Sequence, residues 1–146
     1  MTPIPQRLLV VAEPFGPRLD AERVARAIAR GVMAAGRPQP DLCPIERHSG
    51  PRARSELLDA LGFDARMRAC RAVVIACERL QERALAGSLT FELATRARQG
   101  GVPAYAVTAQ DALDVFDARI LDLQLVLEAR TGRALAAAGR TLGELA

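Results

Sequence analysis

Val73–Ser88 reads VVIACERLQERALAGS. An apolar run ends abruptly in the charged stretch CERLQER, and a helix-like segment begins just beyond it. A short uninterrupted run of this kind marks a strand buried on both faces. In an open α/β sheet the turn after such a strand is where ligands are met. The segment therefore bears on the fold and on the candidate site together.

Working outward, the strand is expected over Ala72–Ala76 and a helix over Glu82–Gln99, with Leu85, Leu89, Leu93 and Ala97 on one face and Gly100–Gly101 as its stop. Downstream, Val102–Thr108 reads as a strand, Asp111–Phe116 as a short helix, Ile120–Leu127 as a last strand, and Thr131 as the start of a terminal helix. Upstream, DARMRAC reads as a turn, and Ser55 as the cap of a short helix through Leu57, Leu58 and Leu61 that Gly62 ends. Asp41–Ile45 is a short strand that Pro44 assigns to an edge. Arg7–Ala12 (RLLVVA) is a buried strand, followed by a helix capped by Asp20 that carries Ala21, Val24, Ala25, Ile28 and Val32 at helical spacing.

The rhythm is βαβαβαβαβα, which predicts helices on both faces of a parallel sheet. The expected fold is a three-layer, doubly wound α/β domain of about five strands, Rossmann-like or flavodoxin-like. No linker, repeat or low-complexity tract divides residues 1–146, so one domain is expected.

Composition excludes several functions. The twenty basic residues are all arginine, so no lysine is present to clamp a phosphate, form a Schiff base or act as a general base. The net charge of +3 is spread along the chain, and aromatic residues make up 3% of it, so neither a basic stripe nor a stacking platform for nucleic acid is expected. Cys43, Cys70 and Cys77 show no metal-ligand spacing and read as reduced thiols. The apolar run in MTPIPQRLLVVAEP is too short for a signal peptide or a membrane span, so a cytoplasmic protein with no membrane partner is expected. G-x-x-x-x-G-K-[ST] and G-x-G-x-x-G are both absent. His48, the single histidine, lies in a polar loop and reads as a surface residue.

The expected strand order 2-1-3-4-5 places the ligand crevice between the first and third strands. Glu13, Arg18 and Asp20 would come from one wall, and Glu78, Arg79, Gln81 and Glu82 from the other. Arg18, next to a helix N-terminus, can hold an anion; the alternative is that Arg18 is solvated and Asp20 simply caps the helix. Glu78 and Arg79 can act as acid and clamp, or pair as a surface ion pair. Cys77 is either a thiol of lowered pKa at a strand end or a small apolar core residue.

Two segments resemble the type 1 glycerate kinases. LLVVAEPFGPRLDAERVARAIARGV is similar to that family's opening strand, its APDSFKGSLSA turn and its E-V-A-x-A-I-x-x-G helix, with matches at Phe15, Leu19, Ala21, Val24, Ala25, Ile28 and Gly31. AVVIACERLQERALAGSLTFELATRARQGGVPAYAVTA is similar to the later strand, the T-G-E-G-R-x-D-x-Q-T-x-x-G-K loop, and the helix and G-V-P strand entry that follow. There Glu78, Arg79, Leu80 and Gly87 match if one residue is deleted, as do Gly101, Val102 and Pro103. In the family a second domain is inserted between these pieces; here Leu61–Arg71 joins them directly.

The resemblance implies a Rossmann-like half-kinase whose catalytic motifs have degenerated. The family's S-F-K-G lysine falls at Gly16, its later acid at Gln81 and its later lysine at Ser88, and ERHSGPRA stands in place of D-G-G-E-G-T. Phosphoryl transfer depends on positioned charge and on exclusion of water. The resemblance therefore implies a non-catalytic domain that binds a small anionic metabolite or nucleotide, or serves as an interaction subunit, self-associating or meeting a partner protein. The ligand-binding residues would be Glu13, Phe15, Arg18, Asp20, Glu78, Arg79, Gln81, Gly87 and Ser88. The alternatives are an active glycerate kinase, with Glu78 and Arg79 in the site, ATP and Mg as cofactors and missing groups supplied in trans, or a purely structural module closed by Arg18–Glu78 or Arg79–Glu13 pairs.

Overall fold

A computed structural model of the chain describes residues 7–46, 50–81, 88–114, 119 and 121–145. Five strands, β1 (Leu8–Ala12), β2 (Asp41–Pro44), β3 (Ala72–Gln81), β4 (Ala104–Ala112) and β5 (Leu123–Glu128), form one sheet in the order β2-β1-β3-β4-β5. Every neighbouring pair is parallel. The fold is the expected doubly wound α/β architecture, with the order reversing between β1 and β3.

The apolar runs explain the two-sided burial. All five residues of β1 are buried, and successive side chains feed opposite layers. Leu8, Val10 and Ala12, with Val74 and Ala76 of β3, pack against helices α1 (Ala21–Ala34) and α5 (Gly132–Leu145). Leu9, Val11, Val73 and Ile75 meet the opposite layer, built by α2 (Gly50–Ala60), α3 (Phe63–Arg68) and α4 (Leu89–Gln99) through Leu58, Phe63, Met67 and Leu93. Asp20 caps α1 by accepting from the Arg23 N–H at 2.8 Å, and Ala21, Val24, Ala25, Ile28 and Val32 form its buried face.

Several expected boundaries are corrected. DARMRAC is not a turn: α3 lies there, its Phe63 and Met67 one helical turn apart and both buried. Gly62, at φ +65°, makes the left-handed link from α2, and Ser55 lies inside α2 rather than at its cap. The helix expected from Glu82 begins at Leu89. Ser88 is extended (φ −78°, ψ 158°), and its hydroxyl caps by accepting from the Phe91 N–H at 3.0 Å; residues 82–87 lie outside the described part. Asp111 and Ala112 belong to β4 rather than to the short helix expected over Asp111–Phe116, of which residues 115–116 also lie outside the described part. β4 starts at Ala104 instead of Val102. β5 starts at Leu123 because Asp122 takes a left-handed turn at φ 54°.

The largest correction concerns CERLQER. β3 does not stop at Ala76 but continues as strand through Gln81, since β4 also runs on past Thr108 and pairs Arg79 with Gln110, Leu80 with Asp111 and Gln81 with Ala112. Among the described residues no helix is long and apolar enough to cross a membrane.

Candidate functional site

Strand alternation fails at the quoted stretch. A regular strand would send Cys77 and Leu80 to opposite faces, yet both are buried in one small cluster with Ala106. Glu78 and Arg79 between them are both exposed, and the Glu78–Ala109 position is missing from the β3–β4 ladder. Thr108, fully buried, holds this break: its hydroxyl lies 3.2 Å from the Glu78 carbonyl and 3.3 Å from the Gln110 N–H. The register is the same on either side of the break, so no residue is inserted and only the local pairing is interrupted. Here the result is two opposite charges side by side at the carboxyl end of the central strand.

Two open clefts share that pair. The first, about 490 Å³, is lined by Glu78, Arg79, Ala109, Gln110 and Arg130. The Arg79 Nε donates to Gln110 Oε1 at 2.9 Å, and the Arg130 Nε donates to the Ala109 carbonyl at 3.0 Å. Each guanidinium is thus held at its stem, and among the described residues neither forms an ion pair with a carboxylate. The second cleft, about 440 Å³, is lined by Glu13, Pro14, Gly16, Cys77, Glu78 and Arg79, where β1 and β3 part. Gly16 takes φ +72°, and a Cβ there would lie 3.5 Å from Glu78 Oε1, so the Glu78 carboxylate faces the β1 turn.

The structure thus brings Glu13, Glu78 and Arg79 together at the expected crevice. Arg18 is exposed, and among the described residues no ion pair joins it to Glu78. Asp20 serves as the α1 cap. Phe15 is buried in the core and its backbone bridges to Leu19, so its ring is spent on packing. Ser88 caps α4. Gln81 contributes its backbone to β3; its side chain, Gly87, Glu82 and His48 lie outside the described part. Arg130, Gln110 and Thr108 were missed by the sequence reading. The signal for Arg130 was present, because the order 2-1-3-4-5 sets the turn after β5 beside the end of β4.

Cys77 belongs to the core. Burial pushes its thiol up to about 11, opposed in part by hydrogen bonds with Thr90 and Thr108. At pH 8 roughly one molecule in a thousand would carry a thiolate, so Cys77 is not an activated nucleophile. Cys43 and Cys70 are also buried free thiols raised by burial. We expect Ellman's reagent at pH 8 to leave all three unmodified over minutes in the native protein and to titrate them at once in denaturant. Rapid labelling of one native thiol would refute this.

Among the described residues no group of three or more His, Cys, Asp or Glu assembles to hold a metal ion.

The fold and the paired clefts define an open, doubly wound α/β domain with a charged rim at the strand-order reversal. No protein-family model matches the chain, and no curated protein matches it. Among solved structures, a candidate pilus-assembly-related protein from Burkholderia pseudomallei K96243 is 18% identical, with a TM-score of 0.50 over 98% of this chain and 94% of that one. That likeness is one of fold. A diflavin flavoprotein A3 from Nostoc sp. aligns at 16% identity and TM-score 0.49, over 97% of this chain and 94% of that one. A candidate glycerate kinase 2 from Salmonella typhimurium LT2 aligns at 12% identity and TM-score 0.47. It is a distant structural likeness that covers 73% of this chain but 27% of the kinase chain.

Proposed function

We propose that this domain binds a small carboxylate- or phosphate-bearing molecule in the cleft between Arg79 and Arg130, and that it does so as a binding domain rather than as a self-contained kinase. One observation carries the reading: two guanidiniums converge on one cleft, each fixed through its Nε by a neighbouring acceptor. Fixing the stem lowers the entropy lost on binding and leaves the terminal nitrogens to grip an oxyanion. Among the described residues the lining holds no Ser, Cys, Lys or His. The resemblance to glycerate kinases enters this reading as an inherited scaffold. The stretch that resembles the kinase loop runs, through Gln81, as paired strand.

The test is a thermal-shift titration with glycerate, phosphoglycerates, ADP and ATP–Mg. A ligand bound to the native state at 100 times its Kd stabilises by about 2.7 kcal/mol, a shift of several degrees. Arg79→Ala and Arg130→Ala should each weaken binding by roughly 10- to 100-fold, the loss of one charge-assisted contact. A shift that neither substitution changes, or no shift with any of these ligands, would overturn the proposal.

A further inference from the structure

The two clefts share Glu78 and Arg79 as a common wall, and their charges are sorted. On one side the Arg79 guanidinium is bonded to Gln110 and Arg130 lines the same cleft, so two arginines against Glu78 make that cleft the basic one. On the other side Glu13 and Glu78 supply the acidic lining, and Cys77 beside them is an uncharged thiol. The Glu78 carboxylate faces Gly16, where an added Cβ would meet it at 3.5 Å, an ordinary contact distance. A purely anionic ligand held at Arg79 would sit one residue from the Glu78 carboxylate and be repelled by it. A ligand carrying both signs would turn that repulsion into attraction.

Resting on the anion site proposed above, we infer that the joined clefts take a zwitterionic ligand of amino-acid type, with its carboxylate or phosphate at Arg79 and Arg130 and its protonated amine at Glu78. The break in strand alternation held by Thr108 is then what sets the two poles of the site next to each other.

The experiment is calorimetric titration of the whole chain with matched α-amino and α-hydroxy acids: serine and glycerate, alanine and lactate, glutamate and 2-hydroxyglutarate. Each pair shares a carbon skeleton and differs at the α-position, ammonium against hydroxyl. The amino member should bind about tenfold more tightly, as a charged hydrogen bond replaces a neutral one. Glu78→Gln should erase that preference while leaving the hydroxy acids at least as well bound, whereas Arg130→Ala should weaken both members. The melting temperature of each variant reports that it is folded. Hydroxy acids that bind through Arg130 as tightly as their amino partners would overturn the zwitterion inference and leave the anion site standing. A preference for amino acids that survives Glu78→Gln would also overturn it. Failure of every member to bind would overturn the zwitterion inference, and the anion site would then stand or fall on the phosphate-bearing ligands of the thermal-shift titration.

Discussion

Replacing Gly31 with alanine is expected to lower the stability of the fold by about 3 kcal/mol, more than most single-methyl insertions. Gly31 lies on α1 where α5 crosses it, and a Cβ there would overlap the Ala136 carbonyl and come within 2.6 Å of the Arg140 backbone nitrogen. The contact is reciprocal, since Gly139 meets the Ile28 carbonyl and a Cβ at Gly143 would lie 3.1 Å from the Val32 carbonyl oxygen. Backbone on both sides of the crossing cannot rotate away as a side chain would, so the helices must separate. Separation opens the packing of Val24, Ile28, Val32, Leu135 and Leu142, all fully or almost fully buried. Urea denaturation should show the loss as a lower midpoint. Gly132→Ala is the control: nothing lies within 4 Å of the added methyl, so its effect should stay within about 0.5 kcal/mol. Equal midpoints for the two variants would contradict the close crossing.

Phe63→Ala should cost about 3–5 kcal/mol, the range for deleting a buried aromatic side chain, or roughly 10 °C or more in melting temperature for a chain of this size. Phe63 is 1% exposed and, with Met67, forms the buried side of α3, packed in the layer beneath β1 and β3. α3 has six residues, too few to be stable without tertiary contacts. The anchor is therefore the reason the helix exists. Phe63→Leu keeps most of the apolar volume and should cost about 1.5 kcal/mol or less. A loss below about 1 kcal/mol for the alanine variant would mean that α3 is not docked as described.

α3 is the element whose local signal is weakest. Phe63 and Met67 stand four residues apart, a helical spacing, but the four-residue signal is short and arginine-rich, and DARMRAC resembles a turn. Gly62 reads as a helix stop in the sequence, and in the structure it also starts the next helix. The charges around it have an equally local look and a distant purpose. Arg96 of α4 reaches Asp59 of α2 at 2.9 Å and Asp64 of α3 at 3.3 Å, tying three helices together. Arg66 holds Asp41 of β2 with two bonds, at 2.7 and 2.9 Å, and lowers its pKa.

The candidate site was legible to the extent that it depends on chain order. Glu13, Glu78 and Arg79 were placed at the crevice because they follow strands one and three, and a doubly wound order sets those ends together. Phe15, Asp20 and Ser88 were also named, but each is occupied locally, by core packing or by a helix cap. Arg130 lies far from Arg79 in sequence; the strand order 2-1-3-4-5 implies that its turn meets the end of β4, and the β4–β5 pairing brings the two arginines to one cleft.

By itself the sequence determined the architecture: apolar runs buried on both faces alternate with amphipathic segments, and local signals such as the Asp20 cap suffice to mark where they begin. The tertiary structure alone decided how far β3 and β4 run, where alternation breaks, and which charges meet. Those outcomes depend on ladder partners and hydroxyl bonds between residues distant in the chain, and no local propensity encodes a partner.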